Sequence, residues 1–258
     1  MKILFYRYAQ DPNFEAIITS INKTKHQFGY ASGEVTQEAI ANFAPDIIIH
    51  NIPNTESFPI KSSAISININ DTDNKHSFSF TKPKSKNYIG KFVYLRDCNI
   101  NENELEKYKS DVVYIGSPVV FGNVLDFLVN NNINFKFFNH QPHNINGYCG
   151  MCSSEDYGKF YKNAKACIVT SGDDARLMDI VSCDGNPVVY NNNADQCIEQ
   201  ILSAINENKK YTIDGYNKED IQKQHTSFDK AAQMFKTIGL SKISEEILKI
   251  KKIDWYKK

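Results

Sequence analysis

The chain has 258 residues, 41% of them hydrophobic, and its 30 basic and 30 acidic side chains leave no net charge at pH 7. That suffices for one large or two small domains with a sizeable core. The charge balance removes the electrostatic case for nucleic acid or an anionic membrane as the main partner. No stretch is long and apolar enough to cross a bilayer. The opening segment MKILFYRYAQ lacks the apolar run and small-residue cleavage site of a signal peptide. A cytoplasmic protein is therefore expected, with its six cysteines reduced.

In chain order, residues 2–6 read as a short buried strand, and 14–21 and 36–43 carry helical apolar spacing. Pro45-Asp-Ile-Ile-Ile-His50 is apolar on both faces, as a strand inside a parallel sheet must be. Residues 64–70 alternate and read as a further strand, and 92–95 as a less regular one. The polar stretch 71–87, which includes Pro83, reads as a loop. After a charged, helical or linker-like stretch over 101–109 the pattern restarts with a strand over 111–116. A helix over 119–130, a strand over 134–138, and a helix over 153–163 with Ser153 or Ser154 as its cap follow. Then come a strand over 166–170, a helix over 175–183, a strand over 187–190 and a helix over 194–206. Helices over 218–223, 227–238 and 241–250 complete the chain.

Regular strand–helix alternation predicts an α/β fold with parallel sheets. The restart predicts two domains, 1–108 and 109–258, the second ending in helices. The expected class is α/β with two Rossmann-like domains facing a cleft, the default place for a ligand.

The richest stretch is YKNAKACIVTSGDDARLMDIVSCDGNPVV, residues 161–189. Its turn, Ser171-Gly172-Asp173-Asp174, follows an apolar strand and opens a helix. Strand ends and helix N-termini converge at such points with unsatisfied backbone donors, which suits a nucleotide or phosphate. Gly116 and Ser117, which end the restart strand, would let a ligand approach the backbone closely, or form a simple tight turn. Arg176 offers paired donors to a diphosphate, or pairs with Asp173 or Asp179. Asp179, three positions on, could accept from ribose hydroxyls or serve as that intrahelical partner. Gly172 and Asp173 would present backbone donors to phosphate, and Asp174 reads as the helix cap.

The second half resembles the C-terminal domain of two-Rossmann-domain (GT-B) glycosyltransferases, most nearly those described as spore-maturation-protein-like. YIGSPVVFGNVLDFLVNNNINFKFF matches that family's strand, small-residue loop, helix and strand, and SSEDYGKFYKNAKACIV its short helix before a strand. Arg176-Leu-Met-Asp179 matches Arg-x-Phe-Glu, and Ser182-Cys-Asp-Gly-Asn-Pro-Val-Val189 matches Ala-Cys-Gly-x-Pro-Val-Val. His225-Thr-Ser-Phe-Asp-Lys-Ala231 matches a His-Thr-(Tyr)-x-x-Arg-Ala helix, where His225 reads as structural or as a cap partner. Where many relatives carry a pair of glutamates, this chain has Ser171 and Asp179, and its Cys-Gly loop either has one residue inserted or carries Asp184 in place of a Gly.

The resemblance implies sugar transfer from a nucleotide-sugar donor to a glycan, lipid-linked or protein acceptor, with no bound metal and no other cofactor. The nucleotide would lie around Gly116, Ser117, Gly172, Asp173, Arg176 and Asp179. His50 and Asp71, which end first-domain strands, are the candidate catalytic bases. The rivals are a non-catalytic binding or scaffold protein of the same fold, and a thiol oxidoreductase using Cys149-Gly-Met-Cys152. Those two cysteines with His140 and His143 could also bind zinc, though the spacing is too compact for a familiar module. The basic tail, Lys249, Lys251, Lys252, Lys257 and Lys258, reads as a solvated face, with weak membrane contact as the alternative.

Overall fold

A computed structural model describes residues 1–9, 11–33, 36–52, 63–69, 78–79, 87–93, 98–116, 122–153 and 155–255. The chain forms two compact units. Met1–Phe92 together with His225–Lys258 make the first, and Val93–Gln224 the second.

In the first unit β1 (Lys2–Arg7), α1 (Pro12–Ile21), β2 (Gln27–Ser32), α2 (Gln37–Phe43), β3 (Ile47–His50) and β4 (Ile65–Asn68) follow one another. The strands pair in parallel in the order β2-β1-β3-β4. Central strands in such a sheet are covered on both faces, which is why Ile47, Ile48, Ile49 and His50 are all buried. Asp11 caps α1 by accepting from the Asn13 amide at 2.9 Å, and Pro12 supplies a preset first turn. Thr36 caps α2 in the same way.

The C-terminal helices α9 (Ser227–Thr237) and α10 (Ser241–Trp255) belong to this first unit. This corrects the expected boundary, which placed 109–258 together. The reason lies in α9, whose Phe228, Ala231, Ala232, Met234 and Phe235 are buried and which packs on α1. Each large apolar side chain so buried contributes about 1.5–3 kcal/mol. Ser20 of α1 donates to Ser227 at 2.8 Å within that contact. Thr226, rather than His225, caps α9, and Asp229 returns a bond to the Thr226 amide, a reciprocal capping box.

The second unit runs through a 3-10 turn (Glu102–Glu104), α3 (Leu105–Tyr108), β5 (Ser110–Ile115), α4 (Gly122–Asn130) and β6 (Phe135–Phe138). It continues with α5 (Tyr157–Asn163), β7 (Ala164–Thr170), α6 (Asp174–Ser182), β8 (Pro187–Tyr190), α7 (Ala194–Asn206) and α8 (Lys218–Gln224). Its sheet, β6-β5-β7-β8, is again all parallel. One face packs Val124, Leu125 and Leu128 of α4 with Ile201 and Ala204 of α7. The other packs Phe160 and Tyr161 of α5 with Leu177 and Ile180 of α6.

α5 starts at Tyr157, later than the expected 153, and Ser153 does not cap it, while Ser154 lies outside the described residues; Asp156 stands at the cap position and spends its carboxylate on Tyr108 and Lys159 instead. The expected strand over 92–95 lies mostly outside the described residues, as do Asp71, Ser117 and residues 119–121 of the expected helix over 119–130.

Both sheets share one connectivity. The first strand pairs with the second on one side, and the chain then crosses to place the third strand on the other. The gap between first and third strands, at their carboxyl ends, is the topological switch point where open α/β sheets take ligands. In the first unit it lies between the ends of β1 and β3, in the second between the ends of β5 and β7.

Candidate functional site

At the second unit's switch point β7 ends and the chain turns through Ser171, Gly172 and Asp173 into α6. The Ser171 amide donates to the Tyr190 carbonyl at 2.8 Å, keeping the strand paired to its last residue. Gly172 takes a φ of +86°, which only glycine adopts cheaply, and this turns the chain upward. The helix cap is then Asp173, not Asp174 as the sequence suggested. Its carboxylate accepts from the Arg176 amide at 3.2 Å. Asp174 is the first helical residue and hydrogen-bonds Tyr216.

Asp173 has a second task. Its other oxygen takes the Arg176 Nε at 3.2 Å. One carboxylate thus caps the helix and folds the guanidinium back over its N-terminal end. Arg176 Nη1 reaches the end of β5. Tyr114 shares a side-chain hydrogen bond with Arg176. A Cβ on Gly116 would lie 2.7 Å from Arg176 Nη1 and on top of the Tyr114 hydroxyl. Gly116, at φ +153°, lacks a side chain there, and the Tyr114 hydroxyl and Arg176 take up that space. Burial raises the Tyr114 pKa, Arg176 opposes the rise and Asp173 adds to it, so the phenol stays protonated and available as a donor.

Gly116, Gly172, Asp173 and Arg176 are therefore brought together. Asp179 is set differently. It is 8% exposed, among the buried residues of α6. Its charge helps raise the pKa of the buried Cys183 thiol, after the Cys98 contact and burial. Tyr114 is the member of the group that sequence reasoning missed. It sits two residues before Gly116, so both side-chain directions share one face of β5, a period-two signal that was there to be read.

The loop after α6 shows what Asp184 does in the Cys-Gly stretch. Asp184 takes the left-handed conformation at φ +60°. The Gly185 amide bonds to the Ile180 carbonyl at 2.9 Å and the Asp184 amide to Val181 at 3.2 Å, the Schellman pattern of a helix end. Gly185 is obligatory, since a Cβ would come within 2.8 Å of Ile180 Cγ2 and 3.1 Å of the Tyr161 carbonyl.

At the first unit's switch point the arrangement is closed. Asn51 lies 6% exposed just beyond β3. Its Oδ1 accepts from the Tyr8 amide at 2.7 Å, and its Nδ2 donates to the Ala9 carbonyl at 2.7 Å. Its neighbour His50 is 5% exposed. The Ile52 amide donates to His50 Nδ1 at 3.4 Å, so Nε2 carries the ring proton toward Ser66 Oγ at 2.9 Å. Burial lowers its pKa to about 4. The imidazole is neutral at pH 7, and both its nitrogens face protein partners.

Cys149 and Cys152 are free thiols that bond to the carbonyls of Gly147 and Ser153 at 3.3 and 3.4 Å. His143 is held by Asn139 at 2.7 Å and His140 faces the Met151 sulfur at 3.1 Å. Among the described residues no group of three His, Cys, Asp or Glu gathers to hold a metal ion, and no helix is long and apolar enough to cross a membrane.

No protein-family model matches the chain, and no curated protein matches it. Among solved structures it is similar to AviGT4, a glycosyltransferase involved in avilamycin A biosynthesis. The identity is 9% and the TM-score 0.44, over 98% of this chain and 97% of that one.

Proposed function

We propose that the second unit binds the diphosphate of a nucleotide-sugar, and that the protein is a metal-independent glycosyltransferase acting on a glycan, lipid-linked or protein acceptor. The observation that carries this reading is the guanidinium of Arg176, held by Asp173 and set with the Tyr114 hydroxyl against Gly116, at a topological switch point. The motif resemblance over 171–189 supports the transferase class.

Transfer breaks the bond from the anomeric carbon to the diphosphate and forms one to the acceptor oxygen, which loses its proton. The leaving diphosphate gains charge. Arg176 and the Tyr114 hydroxyl are the donors that would meet it. Asp173 keeps Arg176 aimed, so Asp173 is a positioning residue. Asp71 stands as the candidate for the acceptor proton. His50, buried and engaged at both nitrogens, is better suited to holding β3 and β4 together.

That engagement of His50 also favours a second reading, a binding protein that keeps the nucleotide site without transfer. A thermal-shift titration with UDP, GDP, CMP, dTDP and their sugar conjugates tests the site, because a ligand specific to the native state raises the melting temperature. The proposal expects one nucleotide family to shift it, and the shift to survive EDTA. No shift with any of them overturns it. Binding without sugar release over a broad acceptor panel selects the second reading.

A further inference from the structure

Sequence spacing singles out Cys149 and Cys152, and the structure brings two further thiols together. Cys98 and Cys183 stand more than eighty residues apart in the chain, yet their side chains share a hydrogen bond. Cys98 packs with Ile100 against the core cluster that holds Leu177, Ile180 and Cys183. Both cysteines belong to the second unit. Cys183 follows the last residue of α6, where its amide closes the helix on the Ile180 carbonyl at 3.2 Å. Its position is therefore set by the helix end, and the segment that carries Cys98 is packed onto it.

The two thiols are unequally placed. Cys98 is half-buried and keeps some solvent exposure, whereas Cys183 is 3% exposed. Cys183 donates to the Cys98 sulfur, and this bond draws the Cys98 pKa down. Lys162 and Lys218 act in the same direction, against burial and Asp184. The Cys183 thiol is pushed up, first by the bond to Cys98 and then by burial, so it keeps its proton. The thiolate is the attacking form of cysteine, and a second thiol in contact is what resolves its oxidised product. Cys167 and Cys197 make the contrast. They are 0% and 1% exposed, and burial pushes each thiol up to about 12.

We infer that Cys98 and Cys183 are a reversible disulfide site, at which a hydroperoxide oxidises Cys98 and Cys183 resolves the product. The Cys98 thiolate attacks one oxygen of hydrogen peroxide, the O–O bond breaks, and Cys98 becomes a sulfenic acid. The departing hydroxide takes up the proton that Cys98 gave away and leaves as water. The Cys183 sulfur then attacks the Cys98 sulfur, so that the S–S bond forms and the S–O bond breaks. The second hydroxide leaves with the Cys183 proton, again as water. Two thiols are thus oxidised by two electrons, and one peroxide is reduced to two waters. The disulfide ties the segment at Cys98 to the end of α6. This site is independent of Arg176 and of the nucleotide reading above.

The test uses the folded, full-length chain, reduced and then freed of reductant. It is exposed to a small molar excess of hydrogen peroxide, unfolded in iodoacetamide to cap every remaining thiol, and digested without reductant for mass spectrometry. The expected product is a pair of peptides joined through Cys98 and Cys183, roughly tenfold more abundant than any other cysteine pair and lost on treatment with dithiothreitol. Cys183→Ala should leave Cys98 as a sulfenic acid that dimedone traps, and Cys98→Ser should leave Cys183 to be capped as a thiol. The wild-type product decides by itself if a variant does not fold. Recovery of Cys98 and Cys183 as capped thiols overturns the proposal, whatever the state of Cys149 and Cys152. Oxidation of Cys98 to the sulfinic acid with Cys183 still a thiol overturns it as well.

Discussion

The two units carry one sheet topology with opposite fittings at the same structural place. In the first unit Asn51 bridges the ends of β1 and β3 through Tyr8 and Ala9, and the switch point is stapled shut. In the second, Gly116 carries no side chain, and Arg176 and the Tyr114 hydroxyl take the place where one would sit. A topology that makes a ligand crevice available does not by itself create a site. Which residue sits one step beyond the strand decides whether the backbone groups there are taken up by a side chain, as Asn51 takes them in the first unit.

The largest expected effect concerns the closed side. His50 is neutral when folded and its pKa is about 4, below the usual histidine value of 6.5. Between those pH values the unfolded chain binds the extra proton and the folded chain does not. Stability therefore falls as pH drops from 7 toward 4, by about 3 kcal/mol from this residue. Denaturant unfolding at pH 7 and pH 4.5 should show the loss, and His50→Gln should flatten it. An equal pH dependence in the variant would remove His50 as its source.

Next is the staple itself. Asn51→Ala strips the Tyr8 amide and the Ala9 carbonyl of their partner and should cost about 2 kcal/mol. Nucleotide-dependent stabilisation should survive it. Loss of the nucleotide response in a folded Asn51→Ala protein would mean that the first unit's switch point is not merely structural.

The smallest effect lies behind α6. Asp184→Gly should stabilise by up to about 1 kcal/mol, because glycine suits the left-handed helix-end position. The Lys218 ion pair it sacrifices is exposed and worth little. A lower denaturation midpoint would show that pair to matter more than the backbone.

Much of the fold was legible because parallel strands and amphipathic helices write strong periods. β8 and α7 fall on the expected residues, 187–190 and 194–206, and β3 within its expected run. β2 was missed. Gln27–Ser32 is an edge strand, polar in part and nowhere fully buried. Its Gly29 is explained only by the third dimension, where a Cβ would press on the Phe43 ring at 3.1 Å. The turn over 171–174 was legible as a helix start, yet which aspartate caps it was not. Gly172 sets the chain direction, and that choice places Asp173, not Asp174, over the amides. The ownership of α9 was illegible for a different reason: its apolar face is plain in the sequence, but its partner, α1, lies some two hundred residues earlier.

The central claim is that Arg176 at the open switch point binds the diphosphate of a nucleotide. Isothermal titration of the nucleotide selected by the thermal-shift panel into wild-type and Arg176→Ala protein tests it most directly, with circular dichroism confirming that both are folded. The account predicts that affinity falls by roughly tenfold to a hundredfold in the variant, the cost of one charge-assisted phosphate contact. Equal affinity in the two proteins would contradict it.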